Sequence, residues 1–270
     1  MSVTTDAVLY EPASAERPIG IVRMNRPQQR NSMTAELLDA FGARVLEARA
    51  DPHLRCLVVT GSGACFSAGA DLRAQIQRAA TGEGPARMPH EASFAMYTPF
   101  LSILDVEVPV IGALNGHTVG GGFGLALLCD VRIGNLDARY GANFARLGLH
   151  SGLGISYVLP RLIGASRAAE LLFTGRLVSG HDAAQMGILS RAVPAEQVMT
   201  AALSVAHEIA QAAPIAVRMM KATMRDSLGW NVRQAAWAEA YAQSATIATH
   251  DFKEGMEALL GKREPRFEGR

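Results

Sequence analysis

Val108-Pro109-Val110-Ile111-Gly112-Ala113-Leu114-Asn115-Gly116-His117-Thr118-Val119-Gly120-Gly121-Gly122 is the stretch that decides the fold of this sequence. Its first half is apolar and ends at Asn-Gly, which predicts a buried β-strand followed by a turn. The glycines then lead into the apolar residues 123–129, which predict a buried helix. A strand, a glycine turn and a helix in this order direct backbone N–H groups toward a ligand.

The segments before this stretch alternate between strand and helix patterns. Residues 19–24 predict a strand, which Asn25-Arg26-Pro27 ends. Residues 34–50 carry apolar side chains at spacings of three and four, which predicts an amphipathic helix. Residues 56–60 form a short apolar run before Gly61-Ser62-Gly63 and predict a buried strand. This alternation predicts an α/β fold.

The sequence after about residue 160 predicts one helix after another. Ser166 is a predicted N-cap for residues 167–173, and Ser179 with Asp182 forms a predicted capping box. Further helical sequence is predicted at about 195–213, at about 214–227 and then up to residue 262.

The composition excludes several classes of protein. Lys and Arg total 26 against 25 for Asp and Glu, and the net charge of +1 gives no field that would attract nucleic acid. No uncharged run approaches the ~20 apolar residues of a membrane span. Three scattered cysteines without CxxC spacing argue against a disulfide framework or a zinc site. No secretory signal pattern is visible, and we expect a cytoplasmic protein without a membrane partner.

A second glycine-rich loop, residues 65–72, follows the strand predicted to end at Thr60. This loop and the loop at 115–122 would both place N–H donors beyond the carboxyl end of a strand, where α/β folds bind ligands. The loop at 115–122 has neither the spacing of a phosphate-binding P-loop nor that of a dinucleotide fingerprint. The two loops therefore predict a ligand site that does not bind nucleotides in those ways.

Four motifs in order resemble the signatures of the enoyl-CoA hydratase/isomerase (crotonase) family. They are Met24-Asn25-Arg26-Pro27 with Arg30-Asn31-Ser32-Met33, Phe66-Ser67-Ala68-Gly69-Ala70-Asp71-Leu72, Asn115-Gly116 with Gly120-Gly121-Gly122, and Cys129-Asp130. Further matching segments extend to residue 267. The resemblance implies an α/β fold with a crotonase-like spiral of ββα units at 1–195. It also implies a helical C-terminal region at 196–270 that assembles a homo-trimer or hexamer.

The resemblance also implies an acyl-CoA thioester as the ligand. Its carbonyl oxygen would accept hydrogen bonds from the N–H groups of Ala70 and Gly121, an oxyanion hole. Because CoA is part of the substrate, we expect no separate cofactor, and we expect no metal. The predicted CoA and acyl contacts are Arg30 and Lys262 for phosphates, Ala68, Asp71 and Leu72 in the adenine loop, and Ser32, Met33, Phe123 and Phe144 along the channel.

The sequence departs from the family at the proton-transferring positions. Family hydratases carry two glutamates where this chain has Gly124 and Phe144, and an alternative acidic position is Gly152. Ordinary hydratase activity is therefore not expected. His150 is the remaining candidate catalytic group, because an imidazole can accept or donate a proton near neutral pH. A structural hydrogen bond is the alternative role for His150.

Residues 73–93 contain several glycines and prolines and predict a mobile loop. His90, Glu91 and Tyr97, in or near this segment, could cover the thioester or could lie in solvent. His117, beside the glycine run, is expected to be structural.

Three functional hypotheses follow from these residues. The first is an isomerase, decarboxylase or other lyase that uses the oxyanion hole with His150. The second is a non-catalytic acyl-CoA carrier or regulator. The third is an enzyme in which a small anion such as bicarbonate occupies the space beside Gly124 and acts as the base.

Overall fold

The computed structural model describes residues 7–70, 89–147, 149–226, 249–261 and 263–270. The strands in this part of the chain are β1 (Val8–Glu11), β2 (Ile19–Met24), β3 (Cys56–Gly61), β4 (Cys65–Ser67), β5 (Val110–Leu114), β6 (His117–Val119), β7 (Val131–Asn135), β8 (Arg139–Gly141), β9 (Val178–Ser179) and β10 (Arg191–Val193). The helices are α1 (Ala35–Arg49), α2 (Pro89–Leu101), α3 (Gly121–Leu128), α4 (Ile155–Ile163), α5 (Ala165–Thr174), α6 (Gly180–Met186), α7 (Val198–Ala210), α8 (Pro214–Asp226) and α9 (His250–Leu260).

The strands form two sheets, and the chain passes between them repeatedly. The larger sheet has the order β1-β2-β3-β5-β7-β10 and is parallel except for β1. The smaller sheet has the order β4-β6-β8-β9. A long strand is followed by a short strand of the second sheet three times, in β3-β4, β5-β6 and β7-β8, and α3 follows β6. This is the repeated ββα arrangement that the resemblance implies.

The larger sheet is buried on both faces, which explains why β3 and β5 are continuous apolar runs. On one face, Phe41 of α1 meets Phe100 of α2 edge to face, with ring centroids 4.8 Å apart. On the other face lies α7, whose small residues Ala202, Ala206 and Ala210 recur every fourth position against the sheet. Helix α7 thus packs on the sheet, although it begins beyond the predicted domain boundary at residue 195.

An ion pair joins α8 to Asp130, the residue before β7, and both side chains hydrogen-bond to the backbone at the start of β5. The Lys221 ammonium is buried, lies 2.8 Å from the Asp130 carboxylate and donates a 2.8 Å hydrogen bond to the Val108 carbonyl oxygen. The Asp130 carboxylate also accepts the Val110 N–H at 2.7 Å. These bonds fix the entry to the strand that leads into the glycine run.

The helix predicted to begin at residue 34 and the capping box predicted at Ser179 agree with the structure. Thr34 caps α1 by accepting the Leu37 N–H, and Ser179 caps α6 by accepting the Asp182 N–H at 3.1 Å. The predicted cap at Ser166 is wrong, because α5 begins at Ala165 directly after Gly164, which has a φ of +83°. The prediction of a loop at 73–93 is wrong for residues 89–93, which begin α2, and residues 73–88 lie outside the described part.

None of the helices in the described ranges is long and apolar enough to cross a membrane.

Candidate active site

The two glycine-rich loops meet at one point of the structure. Met33 and Ala70 form a parallel bridge, and the Met33 N–H donates to the Gly69 carbonyl oxygen at 2.8 Å. Gly69 has a φ of +82°, and a Cβ atom there would lie 2.8 Å from the Val119 carbonyl oxygen and 2.9 Å from the Gly121 nitrogen. Only glycine allows this close approach, so Gly69 determines how near the loops come.

The N–H groups of Ala70 and Gly121 are available to a ligand. Gly121 is the first residue of α3, where an N–H has no partner inside the helix. No backbone hydrogen bond within the described ranges uses either amide. The helix dipole adds positive potential at Gly121, so an oxygen that gains negative charge would be stabilised at this position.

Two buried polar side chains hold the loop that carries Ala70. Asn31 accepts the Arg26 N–H at 2.8 Å and donates to the carbonyl oxygens of Ser62 at 3.1 Å and Cys65 at 2.9 Å. The Ser67 hydroxyl donates to the Asn31 carbonyl oxygen at 2.7 Å and accepts the Gly69 N–H at 3.3 Å. Sequence reasoning assigned neither residue a role, although both lie inside the quoted motifs.

A cavity of about 640 Å³ opens beside these loops. Its wall is mainly apolar and carries four polar side chains, none of them a carboxylate, ammonium or guanidinium group among the described residues. The lining residues are Met33, Ala68, Ala70, Phe94, Met96, Tyr97, Gly120, Gly121, Asn143, Phe144, Leu147, Leu149, His150, Ser151, Gly152 and Leu153. An apolar pocket with a few convergent polar groups is typical of a small-molecule site.

The space beside Gly124 is filled by Leu153. A Cβ atom at Gly124 would lie 2.6 Å from Leu153 Cβ, 3.2 Å from Leu153 Cδ1 and 3.5 Å from Ile155 Cδ1. Leu153 is only 3% exposed and has a φ of +53°, a conformation that is strained for a bulky residue. The space beside Gly124 in which the hypothesis places a bicarbonate ion is therefore occupied by the Leu153 side chain.

His150 lies on the cavity wall and is exposed. Its Nδ1 atom is 2.7 Å from the Ser151 carbonyl oxygen. A carbonyl oxygen can only accept, so Nδ1 must carry hydrogen, and in the neutral ring Nε2 then has a lone pair. The structural hydrogen bond from Nδ1 thus does not prevent Nε2 of His150 from acting as a base. His117 differs, since its Nδ1 accepts the Arg139 N–H at 3.0 Å.

Tyr97 lies in the cavity wall and not in open solvent. It is partly buried on α2, and a Cβ atom at Gly152 would lie 2.4 Å from its hydroxyl oxygen and 2.7 Å from Cζ. Glu91, on the same helix, is exposed. Tyr97 therefore occupies the space beside Gly152, the alternative acidic position that the resemblance implies.

The remaining predicted contacts are distributed around the cavity. Ala68, Met33 and Phe144 line the cavity. Arg30 is exposed, and its carbonyl oxygen accepts the Ala68 N–H at 3.0 Å. The Ser32 hydroxyl donates to the Gln29 carbonyl oxygen at 2.5 Å. Asp71, Leu72 and Lys262 lie outside the described residues.

The prediction that Phe123 narrows the channel is wrong. Phe123 is 1% exposed and belongs to the core. Two residues along an α-helix correspond to a rotation of about 200°, so the side chain of Phe123 leaves α3 on the side opposite Gly121.

The cysteines do not supply a nucleophile to this site. Burial raises the pKa of the Cys56 and Cys129 thiols to about 12, and burial also raises the pKa of the Cys65 thiol. Neutral thiols are poor nucleophiles and poor metal ligands. The described ranges contain no group of three His, Cys, Asp or Glu side chains that could hold a metal ion.

Comparison with known proteins assigns the chain to a family. The model of the family described as Enoyl-CoA hydratase/isomerase matches residues 14–270. The chain belongs to the enoyl-CoA hydratase/isomerase family. The resemblance carried by the four motifs is thereby confirmed.

Relatives and solved structures of this family match nearly the whole chain. A protein of Mycobacterium bovis named "Probable enoyl-CoA hydratase" is 31% identical over 262 residues, which cover 96% of this chain and 98% of the relative. A crotonyl-CoA hydratase of Syntrophomonas wolfei is 33% identical over 253 residues, which cover 93% and 95% of the two chains. The enoyl-CoA hydratase structure from Bacillus anthracis matches with a TM-score of 0.88 at 30% identity, covering 98% of this chain and all of that one. The predicted crotonase fold is confirmed.

Proposed function

We propose that this member of the enoyl-CoA hydratase/isomerase family is an acyl-CoA isomerase or lyase and not a hydratase. Its substrate carbonyl oxygen lies between the N–H groups of Ala70 and Gly121. The observation that carries the proposal is the side chain of Leu153 packed beside Gly124, where the resemblance puts a hydratase glutamate. The cavity accepts an acyl group, but water activation by a carboxylate at this position is impossible.

His150 moves the proton in this proposal. Its Nε2 atom takes a proton from the carbon next to the thioester carbonyl, and the C–H electron pair forms an enolate whose oxygen is held by the two N–H groups. In an isomerisation, the imidazolium returns the same proton to the γ-carbon. In a decarboxylation, the bond between the α-carbon and the carboxylate carbon breaks, CO₂ leaves, and the electron pair of that bond forms the enolate. A protonated His150 then gives its proton to the α-carbon and becomes neutral.

A second candidate is a non-catalytic acyl-CoA carrier or regulator. It is favoured by the lack of carboxylates among the described residues that line the cavity. Such a protein would keep the polarising N–H groups for binding alone. The two candidates differ in whether a bound thioester exchanges its α-proton.

Calorimetry and proton exchange together test both candidates. The protein is titrated with enoyl-, β-hydroxyacyl- and malonyl-type CoA thioesters, and each bound thioester is followed by NMR in D₂O. Binding with deuterium incorporation or a new product supports the enzyme. Binding without either supports the carrier, and no binding of any CoA thioester contradicts both candidates.

Substitution Gly69→Ala is expected to lower turnover by about 10²- to 10³-fold, the effect of losing one oxyanion donor. The added methyl group would push the Ala70 loop away from Val119 and Gly121, so the two N–H groups could no longer share one oxygen. The measurement is kcat/KM on the substrate that the panel identifies.

Gly164→Ala is the matched control for Gly69→Ala. Gly164 has a φ of +83°, close to that of Gly69, so an alanine is strained at both positions. At Gly164, however, the added Cβ atom would have no other atom within 4 Å. Equal losses of activity in the two variants would show that backbone strain, and not the oxyanion hole, explains the effect.

Three expectations from the sequence stay predictions. They are the homo-trimer or hexamer, the cytoplasmic location, and the binding of CoA phosphates by Arg30 and Lys262.

A further inference from the structure

The Ser67 side chain lies between the two loops that carry the N–H donors. Ser67 is the last residue of β4 and is fully buried. Its hydroxyl group accepts the Gly69 N–H at 3.3 Å, one residue before Ala70. It also packs against the first turn of α3, because a Cβ atom at Gly122 would lie 2.5 Å from Ser67 Cβ and 2.8 Å from Ser67 Oγ. Ser67 therefore contacts the residue before one donor and the residue after the other, Gly121.

The Ser67 hydroxyl group is anchored to a fixed part of the chain. It donates a 2.7 Å hydrogen bond to the carbonyl oxygen of Asn31. Asn31 is fully buried, and three hydrogen bonds from its side chain to the backbone hold it in place. The hydroxyl thus uses its one hydrogen on a fixed acceptor and a lone pair on Gly69. A shift of the Ser67 hydroxyl would release Gly69 from this anchor.

Small displacements matter at this point because the two loops are in contact. The position of Gly69 relative to α3 leaves no free space, since a Cβ atom there would lie 2.9 Å from the Gly121 nitrogen. Donors stabilise a developing oxyanion only when both lie at roughly 2.7–3.1 Å from its oxygen. The separation of the two N–H groups therefore determines how strongly a carbonyl oxygen between them is polarised.

We infer that Ser67 is a positioning residue that determines the separation of the Ala70 and Gly121 N–H groups. Its hydrogen bond with Gly69 holds the first loop, and its contact with Gly122 fixes the distance from that loop to α3. Because Ser67 is fully buried, it acts through these neighbours and not by touching the ligand. The inference rests on the proposed function, since a thioester carbonyl oxygen must lie between the two N–H groups.

The test is the infrared stretching frequency of the carbonyl group of a bound, isotope-labelled saturated acyl-CoA. Wild-type protein is expected to lower this frequency relative to the same ligand in water, because two fixed N–H donors polarise the C=O bond. Ser67→Ala removes the hydroxyl group without adding volume and should abolish most of that lowering. Where turnover is measurable, kcat should fall by about 10-fold with little change in KM, since a displaced donor loses only part of its effect.

Thr60→Val is the matched control for Ser67→Ala. The Thr60 hydroxyl group is also buried and donates a 2.8 Å hydrogen bond to the carbonyl oxygen of Ala113, between β3 and β5. Its loss should lower the melting temperature, as the loss of the Ser67 hydroxyl should, but leave the carbonyl frequency at the wild-type value. A purely structural role for Ser67 predicts this same result for both variants.

Gly122→Ala tests the contact with α3 separately. Its methyl group would overlap Ser67 and move α3 away from β4, so the lowering of the carbonyl frequency should again be lost. A wild-type frequency in a folded Gly122→Ala variant would contradict the inference, even if Ser67→Ala did not fold.

The outcomes separate this inference from the proposed function. If folded Ser67→Ala binds the acyl-CoA with the wild-type carbonyl frequency, the positioning role is refuted while acyl-CoA binding stands. If wild-type protein does not bind the acyl-CoA, the proposed function itself fails. Melting temperatures of all variants identify any loss that comes from unfolding.

Discussion

Turnover in a His150→Asn variant is expected to fall by about 10²- to 10⁴-fold, the usual contribution of a general acid or base. Asparagine keeps an N–H donor near the position of Nδ1, so the hydrogen bond to the Ser151 carbonyl oxygen can persist. It has no counterpart of Nε2, the atom that we propose takes the proton. Substrate affinity should change little, because the oxyanion hole and the apolar wall remain.

The measurements are kcat and KM for the substrate, and the rate at which the bound thioester incorporates deuterium at the α-carbon. His207→Asn is the matched control, since His207 is an exposed residue of α7 on the opposite side of the larger sheet. A fall in kcat without a rise in KM would indicate a transition-state role. An unchanged rate would remove His150 from the mechanism.

The fold could be predicted because its signals are local. Strands β3 and β5 are apolar runs followed by glycine turns, and α1 shows a 3.6-residue apolar pattern that begins after Thr34. The error at Ser166 is also local, since Gly164 rather than the serine marks the helix start. The packing of α7 on the sheet was not predicted, because an Ala-rich helix does not show which surface it covers.

The two glycine-rich loops of the candidate site could be predicted from the sequence for a different reason. Glycines at positions such as 69 and 120 are required by backbone conformation, and they remain visible as a motif. The sequence of α3 does not show which side faces the cavity, because the helix is hydrophobic on every side. For this reason Phe123 was wrongly predicted to face the channel.

The contacts that define the reacting end of the cavity depend on distant parts of the chain. Leu153 fills the space beside Gly124, and Tyr97 of α2 fills the space beside Gly152. The sequence shows that glycine has replaced an acidic residue at these positions, but not which side chain takes up the volume. Only the packed structure distinguishes an empty space from a filled one.

Gly124→Glu is expected to destabilise the protein by about 3–5 kcal/mol without producing hydratase activity. The new side chain would overlap Leu153, and its carboxylate would enter a buried region of α3 without a partner. Gly124→Ala is the matched control, since it introduces the overlap with Leu153 without the charge. It should cost about 1–3 kcal/mol, the range for overpacking.

Adding Leu153→Gly should make the glutamate tolerable. Glycine adopts the φ of +53° found at Leu153 without strain, and its small size opens the volume between position 124 and the cavity that Leu153 lines. In that background Gly124→Glu should cost little, so the double-mutant cycle should show a favourable coupling of about 1–3 kcal/mol. The measurement is the unfolding free energy, from denaturant titration, of wild type, Gly124→Glu, Leu153→Gly and the double variant.

The cycle also tests why this chain is not expected to hydrate enoyl thioesters. If Leu153 blocks the carboxylate, hydration of a 2-enoyl-CoA should be absent in Gly124→Glu. It should become measurable only when Leu153→Gly and Phe144→Glu are added, because Phe144 lines the cavity where the second carboxylate is needed. A stable, hydrating Gly124→Glu single variant would show instead that the leucine moves aside readily. The lack of hydratase activity would then come only from the absence of the two glutamates at positions 124 and 144, and not from the packing of Leu153 in the site.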